Sequence, residues 1–513
     1  MLIRHTLAYL PAQVLSPLMQ LATALLLTHA LGAADYGLTM LVFASQELVF
    51  LVCLSWWTTF YLRYGGRFEA ARGAGNGEGQ GRGQGRGQGH DPASLAGTEA
   101  AILLVSSAAQ VLVTLGLILV TEPGVSWSFY VGACLFTVTR SHLGLLSERA
   151  RREAAIGAYS AVQIGAPLGG LLLTVALMHG WQGWQGGQGS PRSGTTPEHV
   201  LLVFALAQAL VGGVVAHRLG LLVRPRALQR GVLRQALAFG GPVVVSNLLS
   251  WVGGNGIRFV VHHGAGAVAL GLLSVGWGLA TRLAGVAAMA VTAAAYPLAV
   301  KAMEAGDAAG ARRQVADNAA LLLALLAPAT VGGVLLGPAF VPLVVAPEYQ
   351  ATTIAILPWA LLGAAVRNLR MHGWDPLYLL CEAPRAMVAL DAVEAVLMLA
   401  GAALGLWWRG VDGAVIGSSL AAIAIAAGDL LYLQRRFGLP VRWGVFLRVL
   451  VAAAVMAGLL QAAAVLAGGP LVGWLAVCAA ASVGVVGYAV ALAALFPGQA
   501  RSLGTWAGAR LAR

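Results

Sequence analysis

The sequence predicts an all-α, polytopic membrane protein of about fourteen transmembrane helices. Three observations carry this. Of 513 residues, 58% are hydrophobic and only 10% charged, against roughly 25% charged in an ordinary soluble domain. The mean hydropathy is +0.78. Finally, the apolar residues fall into separate runs of about the 20 residues that a membrane crossing needs.

The expected spans are 7–31, 38–62, 98–120, 125–146, 156–178, 199–222, 236–261, 268–296, 317–345, 351–371, 386–408, 413–434, 444–467 and 470–496. The first follows Met1-Leu-Ile-Arg-His5; it is too long for a signal core and lacks a small-x-small cleavage site before Leu31, so it reads as a retained helix. The second carries Gln46-Glu47 at its middle and ends at Arg63, an arginine placed to anchor it at the headgroups. The fourth contains Arg140, the seventh Arg258, the eighth Arg282, the eleventh Asp391 and Glu394, and the twelfth Asp429 near its end. The last two spans follow the Arg435-Arg436 pair as an appendage.

An even number of spans places both termini on one side. With the odd-to-even loops outside, only Arg192 and Arg409 lie there, 27 basic residues lie inside, and three arginines remain within spans. By the positive-inside rule both ends face the cytoplasm. The net charge of +12 then faces anionic headgroups of the inner membrane and not nucleic acid.

Two loops are low in complexity. Residues 73–91 form a Gly/Gln/Arg tract without an aromatic residue, which lacks the stacking groups of a nucleic-acid tail and reads as a disordered linker. The outer loop 180–198 holds Trp181 and Trp184, which read as an interfacial anchor ahead of a sugar platform. The four cysteines, Cys53, Cys134, Cys381 and Cys478, form no CxxC and read as buried free thiols. No HxxxH, HExxH or Walker loop occurs, and adjacent His262 and His263 point apart on a helix. Catalysis and ATP hydrolysis therefore find no motif, and no cofactor is expected beyond a coupling proton or sodium ion.

An internal repeat gives the organisation. Arg4-His-Thr-Leu-Ala-Tyr-Leu-Pro11 opens the first span and Arg234-Gln-Ala-Leu-Ala-Phe-Gly-Gly-Pro242 opens the seventh. Gly32-Ala-Ala-Asp-Tyr-Gly-Leu38 is echoed by Gly264-Ala-Gly-Ala-Val-Ala-Leu-Gly-Leu272. Six spans separate the copies, which predicts two six-helix lobes of the same orientation, a transporter design. The expected divisions are 1–224 (first lobe, with the Gly-rich cytoplasmic loop 63–97), 225–436 (second lobe) and 437–513 (two further helices and a tail).

Ionisable groups inside spans are costly, by about 2.5 to more than 10 kcal/mol, and each needs a reason. Arg282 lies midway along its span on a face of small residues, Gly271, Ser274, Gly278 and Gly285. That face suits a water-filled cavity or close helix packing, and the arginine either binds an anionic substrate or forms a structural pair. Arg258 and Arg140 lie nearer span ends, where snorkelling competes with substrate binding. Glu47 is a candidate for ion coupling or for a pair with an arginine. Asp391 and Glu394, spaced i,i+3 on one helix face, are further ion-coupling candidates.

The order of several short motifs resembles the polysaccharide exporters, the Wzx-type lipid-linked oligosaccharide flippases of the multidrug/oligosaccharidyl-lipid/polysaccharide (MOP) superfamily. Leu31-Gly-Ala-Ala-Asp-Tyr-Gly37 resembles their LG-x-x-x-YG signature, and Phe239-Gly-Gly-Pro242 their FG-x-P opening. Tyr296-Pro297 followed by Glu304-Ala-Gly-Asp307 resembles YP…E-x-GD. Ala327-Pro-Ala329, Glu348-Tyr-Gln-Ala351, Ile356-Leu-Pro358 and Gly410-Val-Asp-Gly-Ala414 follow in order, so that the resemblance covers residues 1–436. The chain departs from the pattern at His29, at Gly256-Ile-Arg258 and in the 73–91 insertion.

The resemblance implies a MATE-like transporter fold and no enzyme activity. It implies flipping of a polyprenyl-diphosphate-linked oligosaccharide by alternating access, for polysaccharide biosynthesis. Arg282, Arg258 and Arg140 would bind the substrate, Glu47, Asp391 and Glu394 would couple an ion, and no metal is required. Partners would be the lipid-linked glycan, membrane lipids, a polysaccharide polymerase and glycosyltransferases. The competing functions are a multidrug cation antiporter and a lipid II flippase. A membrane-embedded polymerase is disfavoured, because the longest outer loop is short and carries a lone arginine.

Overall fold

The computed structural model describes residues 2–74, 92–184, 194–219, 229–466 and 472–498. The Gly-rich tract from 75 to 91 and the side chains of Trp181 and Trp184 lie outside what is described. The described residues are helical almost throughout, with no strand among them. In chain order the helices are α1 Leu2–Ala30, α2 Ala33–Cys53, α3 Ser55–Ala74, α4 Pro92–Thr121, α5 Trp127–Arg152, α6 Ile156–Ser160, α7 Ala166–Trp184, α8 Pro197–Arg218 and α9 Arg230–Glu304. They continue as α10 Ala308–Val344, α11 Pro347–Leu369, α12 Pro376–Leu380, α13 Pro384–Phe437, α14 Trp443–Leu466 and α15 Trp474–Leu495. A π-turn, Ala161–Gly165, joins α6 to α7, and a second, Arg370–Trp374, joins α11 to α12.

Ten segments are long and apolar enough to cross a membrane. Of these, Pro384–Phe437 contains two expected spans, and Arg230–Met289 contains 236–261 and most of 268–296. The remaining expected spans are α1, of which Leu15–Ala30 is apolar but short, and α5, whose apolar run is interrupted by Arg140, Ser141 and His142. The described parts of the fourteen expected spans therefore fall largely on helix, with the second divided between α2 and α3 at Leu54, and the molecule is a multi-pass membrane protein.

Helix ends follow from local chemistry. Ser126 caps α5 by accepting from the Phe129 amide at 3.2 Å, and Asp307, last residue of the E-x-GD stretch, caps α10 by accepting from Gly310 at 2.6 Å. The long helices α9 and α13 are bent at glycine. Gly266 has φ 80° and Gly410 φ 64°, the left-handed region that a side chain disfavours, and each breaks its helix between two expected spans. In the α13 hairpin the two arms meet glycine to glycine: a Cβ on Gly405 would strike the Gly413 carbonyl, and one on Gly401 the Gly417 carbonyl. This is close packing through small residues spaced i,i+4.

The chain forms two compact units, Met1–Arg258 and Phe259–Arg513, with the division inside α9. In the first, α5 packs on α8 and α2 packs on α4 and α5. Phe43 of α2 stacks on Phe136 of α5 with centroids 4.7 Å apart. Helix α4 shows the membrane solvent reversing the usual amphipathic pattern. It buries Glu99, Ser106, Gln110 and Thr114 while exposing Leu104, Leu112, Leu119 and Val120, because lipid replaces water outside and every polar group must find a partner inside. In the second unit α10 packs on α11, and α14 and α15 pair with each other and against α10. Tyr488 of α15 donates to the Ala324 carbonyl at 2.8 Å.

Candidate functional site

The polar site of the first unit is built around the middle of α2. Buried Gln46 donates to Ser141 of α5 at 3.4 Å, which fixes the rotation of α2 against α5. The next residue is turned by about 100° on a helix, and Glu47 accordingly sits on an exposed face in the midst of buried neighbours. Trp251 Nε1 of α9 donates to Glu47 Oε2 at 3.2 Å, and Asn255 Nδ2 donates to the same oxygen at 3.4 Å. Arg258 in turn donates to Asn255 Oδ1. Trp251, Asn255 and Arg258 recur at i, i+4 and i+7, one face of α9.

Arg140 completes this group. It is the neighbour of Ser141, as Glu47 is of Gln46, and Glu47 is the charge that acts on it. Among the described residues Arg140 makes no hydrogen bond or ion pair at contact distance. The sequence places it about two turns from a span end, but α5 runs on to Arg152, which leaves it about three turns in. Arg258 likewise lies about two turns from the bend at Gly266 and not one. The site thus brings together Glu47, Arg140 and Arg258 from the sequence expectations. Trp251 and Asn255 were not foreseen, and their i,i+4,i+7 relation to Arg258 was the available signal. Two guanidiniums accompany one carboxylate in this group, an excess of positive charge that suits an anion; the exposed acid beside an indole suits a cation.

At one end of the same unit Tyr61 is clasped by two arginines. Arg149 and Arg152 each lie 4.6 Å from its ring centroid, and Arg149 pairs with buried Glu99 at 3.0 Å. Arg63 lies over the ring of Phe239 at 5.2 Å. These basic residues tie α3, α4 and α5 together and carry no sign of a ligand site.

In the second unit Arg282 is half-buried on the second arm of α9, with its guanidinium near Gly278 one turn back. The predicted small face is present, and Ser274 within it is buried.

Asp391 and Glu394 fall in a separate buried cluster at the start of α13. Arg367 Nε and Arg370 Nη2 each donate to Glu394, both at 2.8 Å, so that two guanidiniums clamp one carboxylate. Arg370 also pairs with Asp375 at 3.2 Å. The π-turn makes this pairing: the Asp375 amide donates to the Arg370 carbonyl five residues back at 3.1 Å, a wider turn than α-helix allows. Asp429 sits close to a helix end, where solvation is the simple expectation. It is instead only 4% exposed and accepts from Trp374 Nε1 at 2.8 Å and from the Tyr378 hydroxyl at 2.5 Å. Among the described residues no three His, Cys, Asp or Glu side chains are placed to hold a metal ion.

No family model matches the chain, and no curated protein matches it. Solved structures do. The lipid II flippase MurJ in an inward closed conformation aligns with TM-score 0.64 at 12% identity, over 95% of this chain and 98% of that one. An inward-facing multidrug resistance MATE transporter of the MOP superfamily aligns with TM-score 0.61 at 13% identity, over 82% and 94%. The chain has the MurJ/MATE fold. A MOP-superfamily transporter from Pyrococcus furiosus, described as having a binding pocket of reverse polarity, aligns at 0.53 with 12% identity over 85% and 95%. The fold expected from the motifs is therefore present, and it is the fold of transporters and flippases.

Proposed function

We propose that the protein flips a polyprenyl-diphosphate-linked oligosaccharide across the cytoplasmic membrane by alternating access, with both termini in the cytoplasm. The observation that carries this is Arg140: a guanidinium deep in a membrane helix that makes no hydrogen bond among the described residues. A cation retained in that state within a membrane helix is a preorganised receptor for an anion. Arg258, held by Asn255 on the facing helix, supplies the second cation, and Arg282 is the candidate of the second unit. The diphosphate would accept charge-assisted hydrogen bonds from Arg140 and Arg258, while the prenyl chain stays in lipid. Outward movement of negative charge is downhill by about 2.3 kcal/mol per charge per 100 mV in an inside-negative membrane. Potential can thus drive the step without ATP.

A second reading rests on a different observation. Glu47 is exposed, and its partner Trp251 presents an aromatic face, a pairing that suits an organic cation exchanged for protons. Thermal shifts separate the two. Purified protein would be melted with a polyprenyl-diphosphate oligosaccharide, with inorganic diphosphate and with a lipophilic cation. The flippase reading expects stabilisation by the lipid diphosphate that Arg140→Ala weakens at least about tenfold in affinity, the worth of one hydrogen bond to a charged group. Stabilisation by the cation alone, removed by Glu47→Gln, would replace it with the antiporter reading.

A further inference from the structure

The second expected span is broken, and a groove lies at the break. Leu54 leaves helical geometry, with φ −136° and ψ −25°, so that α2 ends at Cys53 and α3 restarts at Ser55. The Cys53 carbonyl, released by the break, accepts from Ser106 Oγ of α4 at 2.7 Å and from Trp56 Nε1 at 3.1 Å. These two donors supply what lipid cannot. Beside this contact a cavity of about 150 Å³ lies among Cys53, Trp56, Val105, Ser106, Ala109 and Leu233. Leu233 belongs to the first turns of α9, which are held in the first unit because Val232 and Ala236 pack in one core with Leu54, Trp57 and Ile102.

The groove faces the membrane. Val105 in its wall is 58% exposed, and Leu104 beside it 64%. Its two polar side chains already spend their donors on the Cys53 carbonyl, so the lining selects an apolar guest. An apolar cavity of about this size stays dry and holds a six-carbon guest. The groove also has a charged end. Arg230 lies three residues before Leu233 on the same helix face and one turn nearer the start of α9, and Arg234 lies four residues after Arg230. Both arginines are exposed. On α4 the lining runs from Ile102 to Ala109, about 10 Å of helix. An occupant of that length stays within one leaflet, whereas a transported lipid carrier has to cross both.

We infer that this groove holds an acyl chain of an anionic phospholipid as a resident ligand, with Arg230 and Arg234 on its phosphate. The chain seals the break in the second span from water, and the arginines make charge-assisted hydrogen bonds to the headgroup. Each arginine near the membrane surface contributes about fivefold in affinity. The site is independent of what the protein transports.

Cys53 lines the groove and reports its occupancy. The purified full-length protein in detergent micelles would be alkylated with N-ethylmaleimide while phosphatidylglycerol is titrated in, and mass spectrometry would follow Cys53 and the exposed Cys478 separately. Phosphatidylglycerol is expected to slow alkylation of Cys53 and leave Cys478 unchanged, and phosphatidylcholine with the same chains should protect far less. The half-protecting concentration should rise about fivefold in Arg230→Gln or Arg234→Gln, and about thirtyfold in the double variant. Both positions are exposed, so these variants keep the fold. Ala109→Leu fills the groove and should retain one phosphatidylglycerol fewer than the parent in native mass spectra. Equal protection by the two phospholipids, protection undiminished in the double arginine variant, or equal slowing of Cys478 would overturn the assignment. Protection by a polyprenyl phosphate at lower concentration than by phosphatidylglycerol would also overturn it, because the groove would then belong to the lipid carrier.

Discussion

Single side chains decide the chemistry of this molecule through what they lack as much as through what they hold. Arg140 makes no hydrogen bond among the described residues, so Arg140→Ala should change the melting temperature little while removing an anion donor. By contrast Glu394 satisfies both Arg367 and Arg370 at 2.8 Å. Its replacement by alanine leaves two cations in a buried place and should destabilise the protein by about 3–5 kcal/mol, read as a loss of folded yield and melting temperature. Glu394→Gln should cost less. Glu394 was identified from sequence as an acid needing a partner, yet its partners were not. The apolar run after Leu357 gives way to Arg367, Arg370, His372 and Asp375, and falling hydropathy looks the same whether a helix leaves the membrane or internally neutralises its charges.

At the scale of elements, turns and caps were legible because they obey local rules. The hairpin at Gly410 and the cap at Asp307 follow from the glycine-aspartate punctuation of the sequence. The π-turn over Arg370–Trp374 was not legible, since no residue type demands an extra residue per turn; it persists through tertiary pairing of Arg370 with Asp375 and of Trp374 with Asp429. The α13 hairpin gives a sharp prediction. Gly405 and Gly413 face each other's backbones, so Gly405→Leu cannot close the hairpin. Most of the protein should fail to elute as a monodisperse peak, whereas Gly428→Ala, where a Cβ meets nothing, should behave as the parent.

At the scale of the whole molecule, the sequence pattern of fourteen apolar runs and its motifs led to the transporter fold, because lipid forces every spanning segment into helix. Substrate identity is not encoded at that scale. It resides in a few polar groups, and the fold is shared by proteins of different names. The Glu47, Arg140 and Arg258 group was legible as three isolated ionisable residues; Trp251 and Asn255, which join Glu47 to Arg258, are ordinary residues that only a contact identifies. Coupling is a property of the whole chain. If negative charge moves outward, an inside-negative potential should speed translocation, and collapse of the potential should slow it by more than a change of counter-cation does.

The most direct measurement is leaflet translocation in liposomes, with a fluorescent polyprenyl-diphosphate oligosaccharide followed by an external quencher. The parent, Arg140→Ala and Arg282→Ala would be compared at equal folded protein, with and without a membrane potential. Protein-dependent flipping that is accelerated by the potential and abolished by Arg140→Ala is the predicted result. Flipping no faster than in empty liposomes, or an unchanged rate in both arginine variants, would contradict it.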